Sequence, residues 1–205
     1  MIERVLVVGQ GPNDLGFLKG LAQLLKCEAE PHERLSDGSE ARQRGQLTRG
    51  KQDAKFIWDR RGNVDLVVRL TDGDTDRPQD TSREELKRWP PDASSLLVCG
   101  VCDRDVEHWM CLDLDYAAEK LSFDKRKLPT KRDDRSGFIK SRIRKLGGPD
   151  YQDFVTRFVA NAPPATIRRW LHNPAFSHFH DQCRAAARRQ NCPAQNLRDS
   201  EGAAR

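Results

Sequence analysis

Three aspartates alternate along the chain directly after an apolar run. They lie in the segment Leu70-Thr71-Asp72-Gly73-Asp74-Thr75-Asp76. Carboxylates this close repel one another unless a cation lies between them, and hard divalent cations favour oxygen ligands. The spacing therefore predicts a site for Mg²⁺ or Mn²⁺ that is held by Asp72, Asp74 and Asp76. The alternative is a polar turn that only caps a helix, and we favour the metal site because the three acids alternate after an apolar strand.

A second apolar run also ends abruptly in small and polar residues. Val5-Leu6-Val7-Val8 is followed by Gly9-Gln10-Gly11-Pro12-Asn13-Asp14. Pro12 suits the start of a helix, and Asp14 then falls in the first turn, where a negative charge complements the helix dipole. Backbone amides at Gly11 and at the start of this helix are suited to receive a phosphate. Two roles for Asp14 stay open: it either complements the helix dipole or belongs to the functional site.

The periodicity of the apolar residues predicts an α/β fold with a parallel sheet. Strands are predicted over 4–8, 64–70 and 96–101, and helices over about 12–25, 82–88 and 103–121. Strands that alternate with helices favour right-handed crossovers, which gather the polar strand ends at one edge of the sheet. Residues 31–61 are polar and basic, and they predict a loop or a partly helical insertion above that edge.

The composition changes after the third predicted strand and its helix. We predict a metal-binding core over 1–122, a basic segment with a helical C-terminal region over 123–192, and a frayed tail over 193–205. Residues 125–145 hold ten lysines or arginines and two acids. Such a run is usually a solvated face, but it strengthens phosphate contacts where its cations share a surface. The candidates for nucleic-acid contact are Lys131, Lys140 and Arg142.

Bulk composition narrows the class of protein. The 205 residues carry a formal net charge of +5, and 33% of them are charged with mixed sign, which favours a folded chain over a disordered one. No apolar run reaches the length of a membrane span and no signal-peptide pattern is present, so we expect a cytoplasmic protein without a membrane partner. Two groups could suggest zinc, and we interpret both as structural: Cys99 with Cys102, and His178, His180 with Cys183.

The order of these motifs resembles the Toprim domain of topoisomerases, bacterial primases and OLD-family nucleases. Gln10-Gly11-Pro12-Asn13-Asp14 fills the frame of their Glu-Gly-x-x-Asp motif, and Asp72-Gly73-Asp74 fills the frame of Asp-x-Asp. A group of small bacterial Toprim-like proteins, often encoded beside an ATPase, is more similar. Their Glu-x-Trp segment corresponds to Glu107-His108-Trp109, and their Asn-Pro-x-Phe-x-x-Phe-like segment corresponds to Asn173-Pro174-Ala175-Phe176-Ser177-His178-Phe179.

The resemblance implies a Toprim-like parallel sheet with flanking helices and a Toprim-type endonuclease that cleaves DNA or RNA with Mg²⁺ or Mn²⁺. It also implies an anti-phage defence role with an ATPase partner. The implied catalytic residues are Gln10, Asp14, Asp72 and Asp74, and the implied metal ligands are Asp72, Asp74, Asp76 and Glu107. One alternative stays open here, Glu107 as an ordinary surface charge. For Trp109 we favour a core position over stacking on the substrate.

Position 10 departs from the family, because Gln10 stands where the motif has glutamate. A carboxamide exchanges no proton near neutral pH, and its oxygen is a poorer ligand for Mg²⁺. Gln10 is therefore either the natural residue of a weakened homologue or an introduced Glu→Gln change, which we favour because the other motifs are intact.

Two further functions stay open as alternatives to the nuclease. One is a non-catalytic Toprim module that binds nucleic acid or regulates a partner protein. The other is a doubly wound nucleotide-binding or phosphotransfer protein, which the lack of a P-loop or Gly-x-Gly-x-x-Gly motif disfavours. The preference for DNA or RNA and the oligomeric state, a homo-oligomer included, also stay open.

Overall fold

The computed structural model describes residues 3–26, 28–31, 49–73 and 78–191. Within them, four strands form one parallel sheet with the order β2-β1-β3-β4. The strands are β1 (Arg4–Val8), β2 (Glu28–Pro31), β3 (Leu66–Thr71) and β4 (Leu97–Val101). The predicted α/β class with a parallel sheet and flanking helices is confirmed. β2 is a strand that the sequence analysis did not predict.

The helices in the described ranges surround this sheet. They are α1 (Pro12–Leu24), α2 (Arg49–Arg60), α3 (Pro78–Leu86), α4 (Val106–Met110), α5 (Leu114–Lys120), α6 (Arg132–Gly147), α7 (Tyr151–Ala160), α8 (Pro164–Trp170) and α9 (Pro174–Asn191). Short 3₁₀ turns cover Pro91–Ser95, Lys125–Lys127 and Gly148–Asp150. α2 supplies the helical part of the predicted basic insertion, and residues 32–48 of that insertion lie outside the described residues.

The prediction of one helix over 103–121 is wrong, because two short helices occupy this segment. Asp113 has an extended backbone, and its Oδ1 accepts a hydrogen bond from the Tyr116 backbone N–H at 3.3 Å. An aspartate in this position starts a new helix instead of continuing the previous one. Asp113 also accepts a hydrogen bond from the Thr166 hydroxyl at 2.6 Å, so the break between α4 and α5 is tied to α8.

The parallel register brings the carboxyl ends of β1, β3 and β4 to the same edge of the sheet. β1 pairs with β3 through Val8 and Arg69, and β3 pairs with β4 through Thr71 and Val101. Parallel neighbours cannot be joined by a tight turn, so the chain crosses over between them through helices. The residues that follow each strand are therefore neighbours in space although they are far apart in sequence.

Apolar residues cover both faces of the sheet. One face packs with α1, α4, α7 and α9, and its core includes the fully buried Phe17, Trp109 and Trp170. Trp109 is therefore a core residue, as we favoured from the sequence. The other face packs with α2 and the segment after α3 through Ile57, Trp58 and Trp89.

The C-terminal helices pack directly on the sheet domain. A Cβ atom at Gly16 of α1 would lie 2.6 Å from the backbone oxygen of Gln152, and one at Gly20 would lie 2.6 Å from that of Thr156. α1 and α7 can approach this closely because neither glycine has a side chain. The helical character of 123–191 agrees with the prediction, and the boundary near residue 122 stays a prediction. In the described residues no helix is both long and apolar enough to cross a bilayer.

Candidate functional site

The ends of β1 and β3 meet at position 10. The side-chain oxygen Oε1 of Gln10 accepts a hydrogen bond from the backbone N–H of Asp72 at 3.3 Å. The loop after β3 also contacts the loop after β4, because the Gly73 N–H donates to the Arg104 oxygen at 2.8 Å. A Cβ atom at Gly73 would lie 2.0 Å from the Cys102 oxygen, so this approach requires glycine. Three strand ends thus form one contiguous surface.

Asp14 is buried beside this surface, with 6% of its area exposed. Its Oδ2 accepts hydrogen bonds from the backbone N–H groups of Gln10 at 2.8 Å and Gly11 at 2.9 Å. Burial raises the pKa of Asp14, although these two hydrogen bonds act in the opposite direction. Asp14 therefore holds the backbone of position 10 from the first turn of α1. The Gly11 amide, which we expected to receive a phosphate, is used by Asp14.

Glu107 lies in the first turn of α4 and is 2% exposed, so its interpretation as an ordinary surface charge is wrong. Its Oε1 accepts a hydrogen bond from Asn13 Nδ2 at 2.5 Å, which connects α4 to the start of α1. Burial, together with the nearby carboxylate of Asp105, raises the pKa of Glu107 to about 7. The side chain predicted as a ligand is thus turned inward, toward the ends of the strands.

Asp105 is a member of this site that sequence reasoning missed. It is 6% exposed, and its Oδ1 caps α4 by accepting a hydrogen bond from the His108 N–H at 2.9 Å. Its other oxygen lies 3.8 Å from Lys140 Nζ, which also lies 3.7 Å from Glu107 Oε2. The signal in the sequence was the alternation of Asp103, Asp105 and Glu107 directly after β4. We call Asp14, Asp72, Asp105 and Glu107 the acidic cluster.

The acidic cluster creates a field that favours positive charge. Burial alone would lower the pKa of Lys140, but the carboxylates of the cluster outweigh it, so that the pKa is raised. At the fully buried Cys102 thiol, burial raises the pKa well above its usual value, and the carboxylates of Asp14, Asp72, Asp105 and Asp103 act in the same direction. Lys140 is a cation when protonated and Cys102 an anion when deprotonated, and both have a raised pKa. Both shifts indicate a negative electrostatic potential at this place.

Half of the predicted metal ligands belong to the acidic cluster. Asp72 and Glu107 are members, and Asp74 and Asp76 lie outside the described residues. Within the described residues, no group of three or more His, Cys, Asp or Glu side chains could hold a metal ion. The cluster nevertheless offers oxygen donors alone, and the buried Asn13 Oδ1 has no hydrogen-bond partner. This donor chemistry suits a hard divalent cation.

Asp103 connects two short motifs of the resemblance, Glu107-His108-Trp109 and the segment that begins at Asn173. It lies two residues after the end of β4. Its carboxylate accepts hydrogen bonds from Trp109 Nε1 at 3.0 Å and Asn173 Nδ2 at 3.2 Å, and lies 3.2 Å from His108 Nε2. The Trp109 ring packs edge-on against Phe176 at a centroid distance of 5.1 Å. The start of α9 is thereby fixed against α4, and through it against Glu107.

The three predicted nucleic-acid contacts have different surroundings. Lys131 is exposed directly before α6, and Lys140 lies against the acidic cluster. Arg142 donates from Nε to the Leu121 oxygen at 2.9 Å and from Nη2 to the Ser122 oxygen. These bonds cap the end of α5, so Arg142 has a structural role here. Contact of the three with nucleic acid stays a prediction.

The cysteine and histidine groups agree with a structural interpretation. Cys99 and Cys102 are buried free thiols, and burial raises the pKa of Cys99 to about 12. Thiols in this state are poor nucleophiles and poor metal ligands. Near the C-terminus, His178 Nε2 lies 3.1 Å from Gln182 Nε2, and His180 Nδ1 lies 3.4 Å from Asp181.

Comparison with known proteins leaves the family open. No protein-family model, no curated protein and no solved structure matches the chain. Fold and site together define an α/β protein with an acidic cluster, three of whose four members are buried, at the carboxyl edge of a parallel sheet. In such folds this edge is the usual place for ligands.

Proposed function

We propose that the chain is a Toprim-like nuclease that cleaves phosphodiester bonds in DNA or RNA with Mg²⁺ or Mn²⁺. The observation that carries the proposal is the junction at which Gln10 accepts a hydrogen bond from Asp72 while Asp14 holds the backbone of position 10. Residues from two motifs 62 positions apart in the sequence thus lie together, and this supports the proposal. The defence role and the ATPase partner rest on the resemblance alone and belong to the proposal.

The acidic cluster and the neighbouring aspartates would hold the cation. Asp72 and Glu107, with Asp74 and Asp76, are its proposed ligands. A divalent cation supplies positive charge against the phosphate and acidifies the attacking water. Glutamate at position 10 would lie beside Asp72 and take a proton from that water. Asp14 positions this residue, and Lys131 supplies charge for the nucleic-acid backbone.

Restoring glutamate at position 10 tests the proposal. In Gln10→Glu we expect Mn²⁺-dependent cleavage of plasmid DNA or of a structured RNA at a rate at least about 100-fold above the Gln10 protein, which is the usual contribution of a general base. Adding Asp72→Asn should abolish the cleavage, because a proposed ligand is lost. Asp80→Asn changes an exposed aspartate of α3 and should leave the rate unchanged. Cleavage that survives Asp72→Asn, or an inert Gln10→Glu protein, contradicts the nuclease.

A non-catalytic Toprim module is the second candidate, and Gln10 itself favours it. The carboxamide accepts a hydrogen bond from the Asp72 N–H, so it fits the site without distortion as a native residue would. This candidate predicts that the Gln10 protein and Gln10→Glu bind DNA or RNA equally in a gel-shift assay and that neither cleaves it. Cleavage by Gln10→Glu contradicts it.

A further inference from the structure

Lys140 reaches into the acidic cluster from a separate part of the chain. It belongs to α6, and its ammonium lies 3.7 Å from Glu107 Oε2 and 3.8 Å from Asp105 Oδ2. The side chains of Glu107 and Asp105 are 2% and 8% exposed, and that of Lys140 is 41% exposed. The ammonium therefore lies at the mouth of the cluster, between two buried carboxylates and solvent.

The Lys140 ammonium lies in surroundings that would also suit a hard cation. Buried carboxylates require a positive partner, because their desolvation is costly. Lys140 provides one positive charge, and its flexible stem lets the charge move toward water. A lysine at a distance of almost 4 Å is held by charge alone, without the fixed geometry of a bidentate guanidinium. Such a partner can be displaced by a cation of higher charge.

We propose that Lys140 is an internal counter-ion that competes with a divalent cation for the acidic cluster. The inference rests on the proposed function, because it concerns the same cation. In the cation-free protein, the ammonium lies between Glu107 and Asp105, and Asp105 Oδ2 also lies 3.7 Å from Arg104 Nε. When the cation binds, the two positive charges repel each other, and the lysine side chain swings out toward solvent. Metal binding is thus weakened by a residue that belongs to the protein itself.

A purely structural ion pair predicts the opposite effect on metal binding. If Lys140 only held α6 against α4, its loss would loosen the site, and metal affinity would fall or stay the same. If Lys140 competes, its loss frees the carboxylates, and metal affinity rises. The sign of the change in affinity therefore separates the two roles.

The experiment measures Mn²⁺ binding by electron paramagnetic resonance for the wild type, Lys140→Met and Lys145→Met. Methionine keeps an unbranched side chain, one atom shorter, and removes the charge, and Lys145 is an exposed lysine of the same helix. We expect Lys140→Met to lower the Kd for Mn²⁺ about tenfold, given the strength of ion pairs at this distance near a protein surface. Lys145→Met should change the Kd less than twofold. The series is repeated with Gln10→Glu, so that position 10 does not limit binding.

Thermal unfolding gives a second readout. Without metal, Lys140→Met should unfold at a lower temperature than the wild type, because the buried Glu107 loses its cationic partner and Asp105 keeps only Arg104. Mn²⁺ should then raise the unfolding temperature of Lys140→Met more than that of the wild type. Lys140→Gln is used in the same way if the methionine variant does not fold.

The outcomes separate the two proposals. Equal or weaker Mn²⁺ binding by Lys140→Met and Lys140→Gln, while the wild type binds, overturns the counter-ion role and leaves the proposed function standing. If no variant binds Mn²⁺ even with glutamate at position 10, the metal-dependent function is overturned and the counter-ion role with it.

Discussion

Two charged clusters lie against the same sheet with opposite composition. In the first, which we call the Arg69 cluster, one carboxylate serves two guanidinium groups: Glu85 lies 4.0 Å from Arg69 Nη2 and 2.9 Å from Arg88 Nη1. In the acidic cluster, one ammonium serves several carboxylates, with Lys140 lying 3.7 Å from Glu107 and 3.8 Å from Asp105. Both clusters contain side chains that are almost fully buried.

The difference indicates which cluster is structural and which is suited to a ligand. Arg69 is 7% exposed, and its Nη1 also donates to the Leu70 oxygen at 2.8 Å, so its charge and its geometry are both satisfied within the chain. The acidic cluster has more carboxylates than cations: Lys140 is half-exposed, and Arg104 Nε lies 3.7 Å from Asp105 Oδ2. A closed cluster stabilises the fold, whereas an acid-rich cluster with a weakly held partner can accept a cation.

The largest expected effect lies in the Arg69 cluster. Glu85→Ala leaves the buried Arg69 without its carboxylate and should lower the free energy of unfolding by about 3–5 kcal/mol. Urea denaturation measures the change. Glu84→Ala on the same helix removes an exposed partner of Lys87 and should cost less than about 1 kcal/mol. Similar losses for the two variants would show that the Arg69 cluster is not a closed structural unit.

A smaller effect is expected from Glu107 in the cation-free protein. Burial and Asp105 raise its pKa to about 7 from 4.5 in the unfolded chain, so between these values the folded protein keeps a proton that the unfolded chain has lost. The free energy of unfolding should therefore fall as the pH rises from 4.5 to 7, by on the order of 2–3 kcal/mol.

Urea denaturation across this pH range, with a chelator present, compares wild type with Glu107→Gln. The glutamine variant cannot titrate and should have the flatter dependence. Glu119→Gln changes an exposed glutamate of α5 and should keep the wild-type slope. Equal slopes for the wild type and Glu107→Gln would mean that Glu107 is charged throughout and that the acidic cluster is already balanced.

The smallest effect is expected where α3 is fixed beside the Arg69 cluster. The buried Ser82 hydroxyl donates to the Cys99 oxygen of β4 at 2.6 Å. Ser82→Ala should cost about 1–2 kcal/mol in urea denaturation, because a buried carbonyl loses its donor. Ser141→Ala on the exposed face of α6 should be neutral. A neutral Ser82→Ala would weaken the assignment of a structural role to this side of the sheet.

The sheet edge was predictable because strong local signals define it. Continuous apolar runs marked β1, β3 and β4, and Pro12 marked the start of α1, so the meeting of Gln10 and Asp72 followed from the rule for parallel strands. β2 escaped prediction because Glu28-Ala29-Glu30-Pro31 has the short, polar character that suits an edge strand. β2 pairs with β1 because the folded chain brings the two segments together, and no local sequence pattern predicts this pairing.

The members of the acidic cluster were harder to predict than the strand ends. Asp105 was one acidic residue among several in the sequence, and its partner Lys140 belongs to a helix 35 positions later in the chain. Arg142 shows a role that the basic run did not predict, since its side chain binds the carbonyls of Leu121 and Ser122. The sequence shows which residues are charged, but only the packed structure shows which groups these charged side chains contact.

The close contact between Gly73 and Cys102 has a mechanical consequence. The Gly73 N–H is bonded to the Arg104 oxygen, and there is no space for a side chain at position 73, so Asp72 and Gly73 pack directly on the residues that follow β4. We therefore expect a shift of Asp72 to be coupled to a shift of Asp105. Changes that reshape one loop should consequently be tolerated only together with compensating changes in the other, and double-mutant energies across the junction should depart from additivity.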